Sequence, residues 1–182
     1  MRRLLFALLL PCFGLPAMAQ HNPAAHAAHL AGTSTTSPYA DMVGRPIKAL
    51  SKEQIDDLQA GEGMGMSLPA ELNAVPGPVH ALEMTDELRL TREQVHKLDA
   101  IVKAMRADAI RLGGNLIDAE RQLDTGFKTR AIDAAAIESQ SERIGLLNGK
   151  LRAVHLKAHL QASALLTPDQ VARYQRARGY SR

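Results

Sequence analysis

The apolar residues of this chain fall into long, regularly spaced stripes. Positions 95, 98, 102, 105, 109, 112, 116, 119 and 123 advance by alternating steps of three and four, and all of them are apolar: Val, Leu, Val, Met, Ala, Leu, Leu, Ala and Leu. That spacing puts every one of them on a single helical face. It predicts a helix over 92–124, about 50 Å long at 1.5 Å per residue, with a seam for a partner helix. The same steps resume at 137, 140, 144, 147, 151, 154, 158, 161 and 165, where only Gln140 and Gln161 are polar. Thr125-Gly126 breaks the pattern between the two stripes, and Thr129 or Asp133 is the candidate cap for the second helix. Two seams joined by a short link predict an all-α fold built on a long antiparallel hairpin with short flanking helices. With a turn near residue 127, Gly113-Gly114 would face Ser141 to Gly145, where small residues allow close backbone approach; a kink at the glycine pair is the alternative.

Helix starts are marked by capping boxes, in which a Ser or Thr is followed three residues later by Gln. Ser51-Lys52-Glu53-Gln54 predicts a short helix over 52–60, ended by Gly61, Gly63 and Gly65. A short segment, Pro69 to Asn73, then meets a turn at Pro76-Gly77-Pro78. Pro78 suits the first position of a helix carrying His80, Leu82, Met84 and Leu88. Thr91-Arg92-Glu93-Gln94 opens the first long helix. Thr167-Pro168-Asp169-Gln170 opens a last one, expected to run to about Ala177 and to end at Gly179.

The first 19 residues have a different pattern. Arg2 and Arg3 precede a short apolar run over residues 4–15, and Ala17-Met18-Ala19 is a small-x-small site. This reads as a signal peptide cut after Ala19, too short in its apolar part for a bilayer span. The expected destination is the periplasm, with no membrane span after cleavage. Residues 20–46, rich in Ala, Pro, Ser, Thr and His, read as a flexible leader holding His21, His26 and His29. The helical domain is expected over 47–182. The single cysteine, Cys12, lies in the signal peptide, so the mature chain would have neither disulfides nor thiolate chemistry.

Charge and composition narrow the function. The chain has 22 Lys and Arg against 19 acids, and loss of Arg2 and Arg3 lowers the net charge from +3 to +1. A near-neutral chain with no Trp and few aromatics is a poor electrostatic or stacking partner for nucleic acid. No nucleophile elbow, zinc-protease motif, phosphate loop or dinucleotide fingerprint is present, so the chain reads as a non-enzyme. Basic residues at the C-terminus (Arg173, Arg176, Arg178, Arg182) fit a solvated helix end, or less simply an acidic partner site.

Two of the caps are copies of one motif. Leu90-Thr91-Arg92-Glu93-Gln94 and Leu166-Thr167-Pro168-Asp169-Gln170 both read Leu-Thr-x-x-Gln, and Leu50 to Gln54 is a degenerate third. Two copies flanking a helical hairpin, behind a signal peptide, resemble the Spy/CpxP family of periplasmic stress chaperones and heavy-metal-resistance or sensor proteins. The resemblance covers roughly residues 47–180. Gly63 to Met66, Ala70 to Asn73 with Pro76-Gly77-Pro78, and Arg178-Gly179-Tyr180 look like a Spy-like subgroup within it. The resemblance implies a dimeric cradle and ATP-independent binding of unfolded periplasmic proteins, or signalling in envelope stress or metal sensing. Leu90, Thr91, Gln94, Leu166, Thr167 and Gln170 are expected to be structural, satisfying the free N–H groups of helix starts.

No cofactor is required by this reading, but a divalent ion or Cu(I) is the candidate ligand. His155 and His159 lie one turn apart on a helix, as do His80 and Met84. Met64 and Met66 add soft thioethers, and His96 is placed opposite His159 by the hairpin register. The competing readings are surface histidines for the pair and core packing for Met84. Leu146, Leu156 and Leu160 fall off the seam, leaving apolar surface for the short helices, a second subunit or a client protein.

Overall fold

The computed structural model describes residues 36–180. The signal peptide, Cys12 and the leader histidines lie outside them. Residues up to Asp41 form a unit separate from the one beginning at Met42. The helices of the second unit are α1 (Lys52–Ala60), α2 (Leu68–Glu71), α3 (Pro78–Glu83), α4 (Thr85–Leu88), α5 (Arg92–Lys128), α6 (Ala134–Ser163) and α7 (Pro168–Ala177). A 3-10 turn at Ala40–Met42 precedes them. The described residues contain no strand. None of their helices is long and apolar enough to cross a membrane.

Helices α5 and α6 pack side by side as the hairpin. None of the nine α5 seam residues is exposed. Helix α5 runs past Gly126 to Lys128, and Thr125 and Thr129 donate their hydroxyls to the carbonyls of Arg121 and Thr125. The stop falls at Arg130, whose φ of 55° is left-handed. There Ala131 N–H bonds to Gly126 O and Arg130 N–H to Phe127 O, which closes the helix end with a Schellman motif. Glycine at 126 instead makes room for Ile132 to fold back against the helix. Asp133 caps α6, accepting from Ala136 N–H at 2.8 Å.

The later turn moves the register. Gln122 meets Arg143, and Gln94 meets the carbonyl of Leu165. Gly113 therefore does not oppose Ser141 to Gly145. It serves α1: a Cβ there would lie 2.3 Å from Leu58 O, so glycine is what allows α1 to seat against α5. Gly114, Gly145 and Gly149 would each accept a Cβ into open space.

Three capping boxes form as expected, at Ser51/Gln54, Thr91/Gln94 and Thr167/Gln170. The last two are also joined to each other. Gln94 Nε2 donates to Gln170 Oε1 at 2.8 Å, and Gln170 Nε2 donates to Gln94 Oε1 at 3.0 Å. Each amide also reaches the carbonyl that precedes the other motif: Gln94 to Leu165 O and, more weakly, Gln170 to Arg89 O. Leu166 is buried beside this clasp in a core cluster with Ala81, Leu88, Leu98, Ala162 and Tyr174, and Leu90 packs against it. A second cluster, of Ile47, Leu50, Leu58, Ala109, Leu112, Leu116, Ile117 and Leu151, fills the space under α1.

The glycine pair separates packing from propensity. Gly113→Ala should lower stability by about 1–3 kcal/mol, because its Cβ meets backbone that cannot yield without moving α1. Gly114→Ala should raise it by up to about 1 kcal/mol, the ordinary gain of a helical alanine. Urea unfolding of the two variants followed by circular dichroism checks this; equal effects would remove the proposed role of Gly113.

Candidate functional site

Between the two core clusters, α6 presents imidazoles where aliphatic side chains would be expected. Leu151 belongs to one cluster and Ala162 to the other, with His155 and His159 between them. Both histidines are buried, 3% and 7% exposed. The fully buried positions of α6 are 151, 155, 158, 159 and 162, so the buried face widens beyond the predicted seam, on which Val154 still packs against the core. The cause is the chain before α5: α2 and α3 both pack on α6 and cover its second flank. Gln161, on the seam by spacing, is exposed instead.

The Pro76-Gly77-Pro78 turn lies directly on His159. A Cβ at Gly77 would come within 2.7 Å of the ring atoms Cε1 and Nε2, so only glycine leaves that side of the ring clear. The ring's Nδ1–H donates to Val75 O at 2.9 Å. A carbonyl can only accept, so in the neutral ring Nε2 carries the free lone pair. His155 has the opposite problem: its buried Nε2 has no hydrogen-bond partner among the described residues. Burial, and the neighbouring His159, push the His155 pKa below its ordinary 6.5, with Glu62 pulling weakly the other way.

These two histidines and His80 line one cavity of about 140 Å³, together with Glu62, Met105 and Arg106. His80 Nδ1 is bonded to Glu83 Oε2 at 2.9 Å. The predicted fourth residue, Met84, is not there. The helix expected from Pro78 onward ends at Met84 (φ −109°, ψ 34°), whose N–H still bonds to the His80 carbonyl, so the spacing is kept but the Met84 side chain is taken by the core. Met84 packs against the Leu88–Leu98–Tyr174 core. His96 is exposed and lines a different groove beside Gln161, a consequence of the shifted register. Met64 lines an adjoining pocket with His80, His159 and Glu71, while Met66 packs against the α1 core. Among the described residues no three His, Cys, Asp or Glu side chains are grouped closely enough to hold an ion as they stand.

A buried acid next to this cavity carried no sequence signal of its own. Glu71 is 6% exposed. Its Oε1 accepts from Tyr174 O–H at 2.6 Å and is 3.4 Å from Arg178 Nε. Its Oε2 is 3.8 Å from His159 Nδ1 and is without a hydrogen bond. Burial, the hydrogen bond to Glu71 and that carboxylate's charge push the Tyr174 pKa well up, so the phenol stays a donor. Arg178 also stacks over Tyr180, 5.7 Å from the ring centre. Glu71, Gly77 and Arg178 come from the stretches that carried the subgroup resemblance. Those stretches converge around His159, and that recurrence was the signal available.

A family model described as LTXXQ motif family protein matches residues 79–178, from α3 through the end of α7. No curated protein and no solved structure matches the chain.

The lowered His155 pKa has a definite consequence for stability. Below about pH 6.5 the unfolded chain takes up a proton that the folded site resists, so stability declines as pH falls until the buried ring itself protonates. Above that pH neither state is protonated and the group contributes no slope. His155→Gln should flatten the acid limb of stability against pH relative to wild type; an unchanged limb in urea titrations across this range would contradict the assignment.

Proposed function

The chain belongs to the LTXXQ motif family, and from that premise we propose that it works as Spy/CpxP proteins do: secreted to the periplasm, it binds non-native proteins or an envelope-stress partner without ATP and without bond-making chemistry. The observation that carries this reading is a broad apolar groove across the hairpin. It is open, encloses about 770 Å³, and is floored by Ala100, Ile101, Ala104, Ala164 and Leu165 with Lys97 at its edge. Leu160, one turn from Ala164, is 64% exposed, and Leu146, Phe127 and Ile110 are exposed elsewhere on the hairpin. A two-helix layer has two faces to cover, and an apolar groove left open beside exposed leucines offers a partner a surface to bury. Its shallow, aliphatic walls suit extended chains of varied sequence better than one shaped ligand.

The mature protein should suppress aggregation of a thermally unfolding substrate at a few-fold molar excess. Ile101→Gln with Leu160→Gln should weaken suppression several-fold while helix content and melting are kept. No suppression by the unaltered protein overturns the reading. If the groove is instead the seam of a homodimer, sedimentation will show a dimer that the same substitutions dissociate.

A second reading, as a metal-binding sensor or resistance protein, is favoured by the unpartnered Nε2 of His155 in a cavity shared with His80 and His159. Buried polar atoms without partners are rare and call for an explanation such as an ion. Calorimetric titration with Zn, Ni, Co and Cu should show binding that His155→Ala abolishes; binding indifferent to that substitution removes the site.

A further inference from the structure

The buried carboxylate of Glu71 uses one of its two oxygens. Oε1 accepts from Tyr174 O–H at 2.6 Å and lies 3.4 Å from Arg178 Nε, whereas Oε2 has no hydrogen bond. We propose that Oε2 anchors a binding site for a primary alkylammonium group, a compact cation carried on an aliphatic chain. The site shares His80 and His159 with the imidazole cavity but does not use the His155 nitrogen, and it depends on neither functional reading above.

The interior of the pocket selects the head group. It is a partly open space of about 270 Å³ whose walls include Met64, Leu68, Glu71, His159, Arg178 and Tyr180. A cavity needs only about 10–15 Å³ to hold a water molecule, so there is room for an organic group. A carboxylate only accepts hydrogen bonds, so the missing partner is a donor. The neighbours do not supply one. His159 Nδ1 is 3.8 Å from Oε2 and gives its hydrogen to Val75 O. Arg178 sits beside Oε1 and over the Tyr180 ring. Charge points the same way. The Glu83 carboxylate, bonded to His80 on the pocket wall, adds to that of Glu71. Among the described residues lining the pocket, Arg178 carries the one fixed positive charge. A guanidinium is a planar fork matched to both oxygens of a carboxylate, and Oε1 is already taken. An ammonium is smaller, and one of its three donors is enough for a single oxygen.

The rim selects the tail. Met64 and Leu68 are 37% and 52% exposed, and Leu72, four residues on, is 60% exposed. Together they offer methylene groups an apolar track out to solvent. Met64 is held at a left-handed φ of 46°, backbone strain of the kind kept at ligand clamps. Oε2 itself is covered, so the ammonium reaches it as these exposed rim side chains, one of them an unbranched methionine, rotate aside.

Free diamines and the lysine side chains of polypeptides carry the same head group, and the test separates them. Calorimetry and methionine-methyl NMR of the mature chain at neutral pH should show that n-butylamine binds and shifts the Met64 methyl signal. n-Butanol, which lacks the charge, and tetramethylammonium, which lacks N–H, should bind at least tenfold more weakly. Glu71→Gln keeps an acceptor for Tyr174 but replaces the other oxygen by an NH₂ donor, and should weaken n-butylamine at least tenfold. Leu68→Arg sets a cation at the exposed rim and should weaken it several-fold, which tests the site even if Glu71→Gln folds poorly. His155→Gln should leave amine affinity unchanged. Tighter binding of 1,5-diaminopentane, or of a blocked lysine peptide, supports the proposal and names the source. No n-butylamine binding, equal binding of tetramethylammonium, or affinity indifferent to both Glu71→Gln and Leu68→Arg overturns it. Metal binding that needs His155, without amine binding, overturns it while sparing the metal reading.

Discussion

The structure depends on a pair of glutamines. Gln94 and Gln170 each complete their own capping box through Oε1, and each uses Nε2 to grip the other. One amide therefore serves a helix start and a tertiary contact at once, which neither Glu nor Ser could do, since the task needs an acceptor and a donor on the same planar group. The consequence is geometric. The starts of α5 and α7 are held together, so α6, which leads into α7 through the short link 164–167, must return along α5 to reach that point. The repeat of the motif at the two ends of the hairpin is thus a closure device. Buried side-chain amides cost about 1–3 kcal/mol each when left unpaired, so the clasp also disfavours hairpins in any other register.

With the hairpin closed, the short N-terminal helices decide what becomes of α6. Gly113 allows α1 to approach α5 to backbone distance, and the chain after α1 is thereby directed across α6. Glu71 then joins this segment to α7 through Tyr174 and Arg178. The same segment covers His155 and His159. A hairpin alone would leave the imidazoles at a boundary; the covering loop turns them into the wall of a cavity. Burying two imidazoles and a carboxylate with incomplete hydrogen bonding costs stability that aliphatic residues would not, and such expense is commonly met at sites of function.

The molecule thus carries two unlike surfaces. Around the N-terminal half of α5 and the C-terminal half of α6 lies an open, aliphatic groove. The cavity beyond His155 is small and lined by α3, α5, α6 and the loops that flank α2, with imidazole and charged groups among its walls. The groove depends only on the hairpin, whereas the cavity also depends on the segment from Gly61 to Pro78. Changes that loosen that segment would alter the cavity without touching the groove, and the two surfaces are separable in that sense.

Periodicity and capping alone determined the all-helical hairpin, all three capped starts and the bounds of α1, and narrowed the α6 cap to Thr129 or Asp133, because these are local: a face is set by steps of three and four, and a cap by a side chain three residues away. The identity of the paired histidines was legible for the same reason. Their burial was not, since it comes from a distant earlier segment folding over them, with Val75 and His159 84 residues apart, and no local rule relates Gly77 to His159. The hairpin stop was placed at Gly126 rather than Arg130 because a left-handed arginine is held there by two carbonyl bonds that composition cannot announce. Met84 lies outside the candidate site because its side chain packs against Leu88, Leu98 and Tyr174, a tertiary contact that its spacing from His80 does not encode. Glu71 stood in a stretch that carried the resemblance, but its role was not legible, because it exists only where Tyr174 and Arg178, a hundred residues on, are brought to meet it.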